Sequence, residues 1–457
     1  MVFNLPSGHT VTSIDDLVNK IASYIKPQKD LCIGVEHESF IFSNSNNIPA
    51  PYSGEKSIST ILHEFKRIMS WKPIMDGENI IGLSDSISKA GISLEPGGQF
   101  ELSSTTVKNM HQIKEEMFNY IAILKNITHS LDLTVMGIGA NPKCKLSEIP
   151  VIPKSRYTIM KKYMPKVGTC GLDMMFRTCT TQVSLDFFTE YDMATKLRVS
   201  LKLQPLATAL FASSPFTEER VNGFQSWRSE IWLNTDNNRT GLIPCAFEKN
   251  FGFEHYVQWA LDVPMYFIIR DNQYYQCTDI TFRQFMNGAL KGRIKQWQPT
   301  IEDWENHLST LFPDVRLRNC LEMRGADAGT PEQILAIAAF WTGILYDSSA
   351  LQDADNLTSE WSFNDVNKLR NIVPREGIRA KINNQSLISI ADQILTFSRN
   401  GLKKRAELNH HKEDETIFLK SIEKIITNNR SLADEMITAY HTRWNNSIKP
   451  CFEEYAH

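Results

Sequence analysis

The apolar positions change period several times along the chain, and each change predicts a different element. Leu17, Ile21 and Ile25 recur at the spacing of one helix face, which predicts a helix over 15–25. At 31–42 the period drops to two. Glu36, Glu38 and Phe40 fall on one side of a strand, and Val35, His37 and Ser39 on the other. Helical spacing returns over 57–71 and over 107–131, where Ile113, Met117, Tyr120, Ile121 and Leu124 carry it; an apolar strand follows at 133–139. The intervening 71–81 reads as turn-rich. In Ile92-Ser-Leu-Glu-Pro-Gly-Gly-Gln-Phe-Glu-Leu-Ser103, the positions after the Pro-Gly-Gly turn alternate: Gln99, Glu101 and Ser103 against Phe100 and Leu102.

Further along, 161–171 reads as a basic loop punctuated by glycine, and 174–188 as a one-sided strand. There Thr178, Thr180, Gln182, Ser184 and Asp186 oppose Cys179, Val183, Leu185 and Phe187, the pattern of an antiparallel sheet with one polar face. Arg177 falls on the apolar parity, so it either precedes the regular strand or is buried against an acid. A helix over 193–211 contains Pro205, a hairpin is expected from 263–269 and 274–277, and a helix over 304–312. A strand over 315–323 runs into Leu321-Glu-Met-Arg-Gly-Ala-Asp327, where Glu322 and Arg324 share a face. Helices over 331–346, 388–408, 413–426 and 433–444 complete the chain. No internal repeat or low-complexity linker breaks it. One compact domain over 1–457 with a helical C-terminal flank is the expected organisation.

Composition narrows the classes of partner. Lys and Arg number 49 against 52 acids, a formal charge of −3, so no basic footprint invites nucleic acid. No apolar run approaches transmembrane length, and the opening Met-Val-Phe-Asn-Leu-Pro lacks a basic and apolar leader; the expectation is a cytoplasmic protein without a membrane partner. The eight cysteines show no C-x-x-C spacing, which argues against structural zinc and a disulfide framework.

The chemistry rests on acids and arginines. Two carboxylates two residues apart on one strand face, Glu36 and Glu38, repel each other unless a cation lies between them. Glu95 and Glu101 flank the Pro-Gly-Gly turn, well placed for a hard cation, although a solvated surface turn has the same pattern. Arg156, Arg177, Arg228, Arg239 and Arg324 stand near turns, and guanidinium forks suit phosphate and carboxylate. Acids for Mg²⁺ beside arginines suggest phosphoryl transfer with an anionic second substrate. Glycoside hydrolysis would not call for so many arginines, and no G-x-S-x-G marks a nucleophile. Ser53-Gly-Glu-Lys-Ser57 is no phosphate loop, because Glu55 interrupts its Gly-Lys pair. Parity sends His37 to the face opposite the glutamates, as a packed core histidine.

Several longer motifs carry a family resemblance. Gly34-Val-Glu-His-Glu38, the stretch from Ile92 to Ser103, Tyr163-Met-Pro-Lys-Val-Gly168, Gly171-Leu-Asp-Met-Met-Phe-Arg-Thr-Cys179 and Leu321-Glu-Met-Arg-Gly-Ala-Asp327 resemble glutamate–cysteine ligases of the plant and proteobacterial type. Phe282-Arg-Gln-Phe285 and Asp303-Trp-Glu-Asn-His-Leu308 do so as well. The likeness runs from about residue 30 to 350, and less distinctly to the end.

The resemblance implies an α+β fold related to glutamine synthetase: a curved, mostly antiparallel sheet forming a funnel-shaped active site, with helices packed outside. It implies ATP-dependent ligation of glutamate, through γ-glutamyl phosphate, to the amine of cysteine, the first step of glutathione biosynthesis. A related ligase using another amine, or a non-catalytic nucleotide-binding relative, are the alternatives. Glutamate, cysteine, ATP and Mg²⁺ are the implied partners, to a monomer or homodimer. Carried over by motif, Glu36, Glu38, Glu95, Glu101 and Glu322 form the magnesium set. Arg324 meets the transferred phosphoryl group, Arg156 and Arg228 hold substrate carboxylates, and Arg177 holds substrate or phosphate. Gln182 stands where more distant relatives place a metal-binding histidine, which groups it with Arg228 on the cofactor side. A regulatory hairpin disulfide, as in the plant enzymes, would need a partner for Cys277, and Gly292 stands at the matching place. The plant enzymes also carry a plastid transit peptide, without which this chain begins.

Overall fold

Strand β1 (Ile33–Ser43) is the element round which the others assemble. The computed structural model describes residues 8–271 and 273–457. Its centre is a nine-stranded sheet whose further members are β2 (Lys72–Asp76), β3 (Asn79–Ser84), β4 (Gly91–Leu94), β5 (Phe100–Ser103), β6 (Leu133–Met136), β7 (Thr180–Leu185), β8 (Val315–Leu317) and β9 (Leu321–Asp327). The order is β8-β9-β7-β1-β5-β4-β3-β2, with β6 on the second half of β1. Every pairing in this sheet is antiparallel, and β8 and β2 remain unjoined, so the sheet does not close into a barrel.

Register sorts the side chains by face, because residues opposite one another across strands point the same way. Val183 stands opposite both Val35 and Met323, and Leu185 opposite both Ile33 and Leu321. His37 stands opposite Leu102, which stands opposite Ile92. These apolar rows meet the helices Ile58–Met69, Met110–Ser130 and Pro331–Leu345. His37, 2% exposed, packs edge-on against the Tyr120 ring at 5.3 Å, as its parity predicts. The helix Glu190–Leu210 packs on β9 and is buried on nearly every side, Pro205 included. No single helix is long and apolar enough to cross a membrane among the described residues.

Three local expectations fail for identifiable reasons. The basic stretch 161–171 is largely helix, Ser155–Val167, because Tyr157, Met160, Tyr163 and Met164 form a buried stripe between the lysines. Gly168 ends it where a Cβ would lie 1.8 Å from the Thr235 carbonyl oxygen. The strand expected over 174–188 is shorter, since its first residues complete a second helix, Gly171–Arg177. The turn-rich 71–81 contains β2 and the start of β3, which turn at Gly77 (φ +59°); β2 is exposed or half-buried throughout, so it has no buried face to mark it. Two further helices, Ser348–Leu357 and Phe363–Glu376, fill the gap between 346 and 388 in the C-terminal flank.

Candidate active site

The register that buries the apolar rows stacks polar residues on the other face. Glu101 stands opposite Glu38 on one side and Ser93 on the other. Glu36 stands opposite Gln182 and Ser103, and Glu322 opposite Ser184 and Arg316. Six strands thus contribute to one polar patch from stretches distant in sequence.

The turn between β4 and β5 adds Glu95. Its backbone N–H donates to the Gln99 carbonyl and its carbonyl accepts from Gly98 N–H, both at 2.9 Å. Gly98 adopts φ +85°, open to glycine, and a Cβ on Gly97 would stand 2.5 Å from the Phe176 carbonyl oxygen. The Gln99 amide nitrogen donates to the carbonyls of Met175 and Thr178 at 3.2 and 3.0 Å. Glycine therefore serves both conformation and close approach: the turn is pressed against the helix Gly171–Arg177.

A cavity of about 230 Å³ opens over the patch, and Glu36, Glu38, Glu95, Glu101, Gln182, Arg156 and Arg324 all line it. A smaller hollow of about 70 Å³ shares Glu38, Glu95 and Arg324 and adds Arg228. Arg156 lies in the first turn of Ser155–Val167, its Nη2 3.5 Å from the Tyr157 hydroxyl. Arg228 lies at the start of the helix Trp227–Leu233; its Nη2 donates to the Arg324 carbonyl at 3.0 Å. Arg324 donates from Nη1 to both Gln182 and Glu322. Here the Gln182 amide oxygen positions an arginine.

Burial and mutual repulsion act together on the acids. Burial, then Glu36 and Glu95, push Glu101 up to about 8. Burial, then Glu95 and Glu101, raise Glu38 well above the usual carboxylate range; burial and Glu322 raise Glu36. Glu322 goes the other way. Burial opposes its ionisation, but Arg316, Arg324 and Arg318 outweigh it and hold the carboxyl down to about 2. Arg316 Nη2 donates to its two oxygens at 2.8 and 2.9 Å.

This donor set fits a hard divalent cation. Glu36, Glu38, Glu95 and Glu101 offer oxygen ligands at one cavity, and a cation there would offset the burial and mutual repulsion that raise Glu36, Glu38 and Glu101. Among the described residues no three His, Cys, Asp or Glu side chains close round a single point. A cation at this cavity would therefore take much of its shell from water and substrate oxygens. The structure does not bring Glu322 into this set, since its oxygens are occupied in seating two arginines.

Arg177 is a correction to the implied site. Its Nε donates to Asp173 at 2.7 Å and its Nη1 to the Cys144 carbonyl and Glu218 at 3.1 and 3.2 Å. It closes the last turn of its helix, ahead of the strand and buried against Asp173 as its apolar parity allowed, and it does not line the cavity where the resemblance would place it.

Sequence reasoning missed several neighbours. Arg316 and Arg318 also line the cavity. The signal for Arg316 was the short hairpin joining β8 to β9, which sets it opposite Glu322. Lys154, pushed down to about 8 by burial and by Arg156, donates to the Leu94 carbonyl at 3.4 Å. Buried Asp327 accepts from Ser213 N–H and from the hydroxyls of Ser214 and Ser226, securing the start of the Arg228 helix. Its place at the end of the β9 motif was visible, its partners were not.

Solved structures share this architecture. A glutamate–cysteine ligase from Francisella tularensis, solved in complex with AMP, matches at a TM-score of 0.55 and 11% identity, over 94% of this chain and 90% of that one. A bifunctional glutathione synthetase from Pasteurella multocida matches at 0.51 and 11%, over 91% of this chain and 50% of that one. The fold is thus one shared with these proteins, an antiparallel sheet with helices outside, as the resemblance implied. The sequence is more specific. The model of glutamate–cysteine ligase family 2 matches residues 32–454. The chloroplastic glutamate–cysteine ligase of Nicotiana tabacum is 45% identical over 440 residues, 96% of this chain and 82% of that protein. That of Arabidopsis thaliana is 44% identical over 443 residues, with the same coverage of both. The chain belongs to the glutamate–cysteine ligase family 2. These relatives overturn the cytoplasmic expectation, because their names place them in the chloroplast, and an N-terminal pattern is a poor guide against that finding.

Proposed function

We propose that the protein joins the γ-carboxylate of glutamate to the amine of cysteine at the expense of ATP. A carboxylate oxygen attacks the γ-phosphorus, ADP departs, and the resulting γ-glutamyl phosphate is opened by the cysteine nitrogen. The amide forms, phosphate leaves, and the amine gives up its protons. The observation that carries this reading is the meeting of four carboxylates and Arg324 on one cavity, in a chain of this family.

Each group has a role that follows from its placement. Arg324, fixed by Gln182 and Glu322, faces the transferred phosphoryl group and stabilises its developing charge. Arg156 and Arg228 offer guanidinium donors to the carboxylates of the amino-acid substrates. Glu36, Glu38, Glu95 and Glu101 would hold Mg²⁺, which when bound offsets the repulsion between carboxylate and phosphate. The whole chain, 1–457, acts in this reading as one catalytic domain, supported by a continuous core from Val11 to Ile425.

ADP release with Mg²⁺, ATP and glutamate tests the reading, with cysteine set against a panel of other amines. Glutamate-dependent turnover that prefers cysteine is the expected result. A preference for another amine would move the acceptor, and no glutamate-dependent turnover with any amine would sink the ligase.

A further inference from the structure

Four arginines line the main cavity, and three are engaged. Arg316 and Arg324 are bound to Glu322, and Arg156 reaches the Tyr157 hydroxyl. Arg318 differs: among the described residues its guanidinium has neither a hydrogen bond nor an ion pair, yet it lines the same cavity and is half-buried. Its backbone is fixed, because its N–H donates to the Cys320 carbonyl at 3.0 Å across the turn joining β8 and β9. A guanidinium fork held on a rigid turn and left without a protein acceptor is prepared for a ligand anion.

The cavity has two unlike ends. At one, Glu38, Glu95 and Glu101 line the wall with Arg156, while Arg228 stands in the adjoining hollow and Lys154 lies behind at the Leu94 carbonyl, so acids are matched by cations. At the other, Arg316, Arg318 and Arg324 surround Glu36 and Glu322, which leaves an excess of positive charge. A triphosphate is the most highly charged of the anions the proposed reaction uses. A dicarboxylate amino acid is served by the balanced end, where Arg156 and Arg228 stand.

We propose that Arg318 binds the polyphosphate of the nucleoside triphosphate, as the uncommitted member of a three-arginine cluster; this rests on the ligase reading above. Because its guanidinium makes no hydrogen bond or ion pair among the described residues, its removal leaves the fold in place.

The test is steady-state ADP release by the wild type, Arg318→Gln and Arg318→Lys, varying ATP, glutamate and cysteine in turn, with calorimetric titration of Mg²⁺–ATP alongside. Loss of a charge-assisted contact predicts a KM and Kd for ATP about 10- to 100-fold higher in Arg318→Gln. Arg318→Lys recovers part of that loss, keeping the charge without the fork. The KM values for glutamate and cysteine, and kcat at saturating ATP, stay unchanged. An unchanged KM for ATP, a rise in KM for either amino acid instead, or an unfolded Gln variant would each overturn the proposal. A wild type without glutamate-dependent turnover would instead overturn the function, since ATP binding by titration is read separately.

Discussion

Glu38 and Glu101 stand directly opposite each other across β1 and β5, a buried and a half-buried carboxylate in register on one face of a sheet. Among the described residues neither has a basic side chain within hydrogen-bond reach: Glu38 accepts from Thr180 N–H at 2.9 Å, and the Ser103 hydroxyl lies 3.3 Å from Glu101. Such a pair costs folding free energy when ionised and becomes favourable with a divalent cation beside it.

Replacing Glu101 by Gln keeps the shape and removes the charge. The variant is expected to lose activity by about 10²-fold or more, the scale on which single electrostatic groups act at such sites. Its melting temperature without Mg²⁺ is expected to hold or rise at pH 8, because one repelling carboxylate is gone. Unchanged turnover would take Glu101 out of the metal set.

Arg177 offers the opposite test. Its three partners are structural, so Arg177→Ala should lower stability by about 1–3 kcal/mol, the cost of orphaning buried partners of a charged donor. The KM values for ATP, glutamate and cysteine should not move. A selective rise in one of them would return Arg177 to the site.

The two glycines of the Glu95 turn should respond differently. Gly98→Ala meets no close atom but must hold a left-handed φ, a strain of roughly 1–2 kcal/mol. Gly97→Ala meets the Phe176 backbone carbonyl, which cannot step aside, so Glu95 must move and kcat should fall further than in Gly98→Ala. Equal effects in both would mean that close approach is not what fixes Glu95.

His307 predicts the acid limb of stability. Its Nε2–H donates to the Ala260 carbonyl at 2.8 Å, and burial holds it down at about 4. An unfolded histidine titrates near pH 6.5, so between 6.5 and 4 the unfolded chain binds more protons than the folded one. The stabilisation is full above pH 6.5 and declines as pH falls toward 4, by up to about 3 kcal/mol. Urea unfolding at pH 7 and 4.5 should show this decline in the wild type and a shallower one in His307→Gln. Parallel pH dependence in the two would assign the limb to other groups.

How much of this was legible depended on whether a residue's role lies on its own element. The polar parity of Glu36, Glu38, Glu101, Gln182 and Glu322 was readable, because alternation along one strand fixes a face whatever its neighbours are. Which acids meet was not, since that is set by strand order and register. Arg177 precedes its strand and pairs with Asp173, as its parity allowed; the site role that the resemblance implied had no support in that pattern. Glu322 kept its predicted position but not its predicted company: Arg316 approaches from the next strand, and no pattern on β9 announces it.

The acids reach one cavity from β1, β5 and the turn before it, and the arginine that faces them comes from β9, more than two hundred residues later. No contiguous segment brings the four acids and Arg324 together. Its appearance during folding therefore waits on the last and least local pairings of the sheet, as expected for contacts of large sequence separation. In refolding, recovery of ADP-forming turnover should coincide with protection of β9 amides rather than with the earlier return of helical signal. Catalysis here is a reporter of completed long-range order.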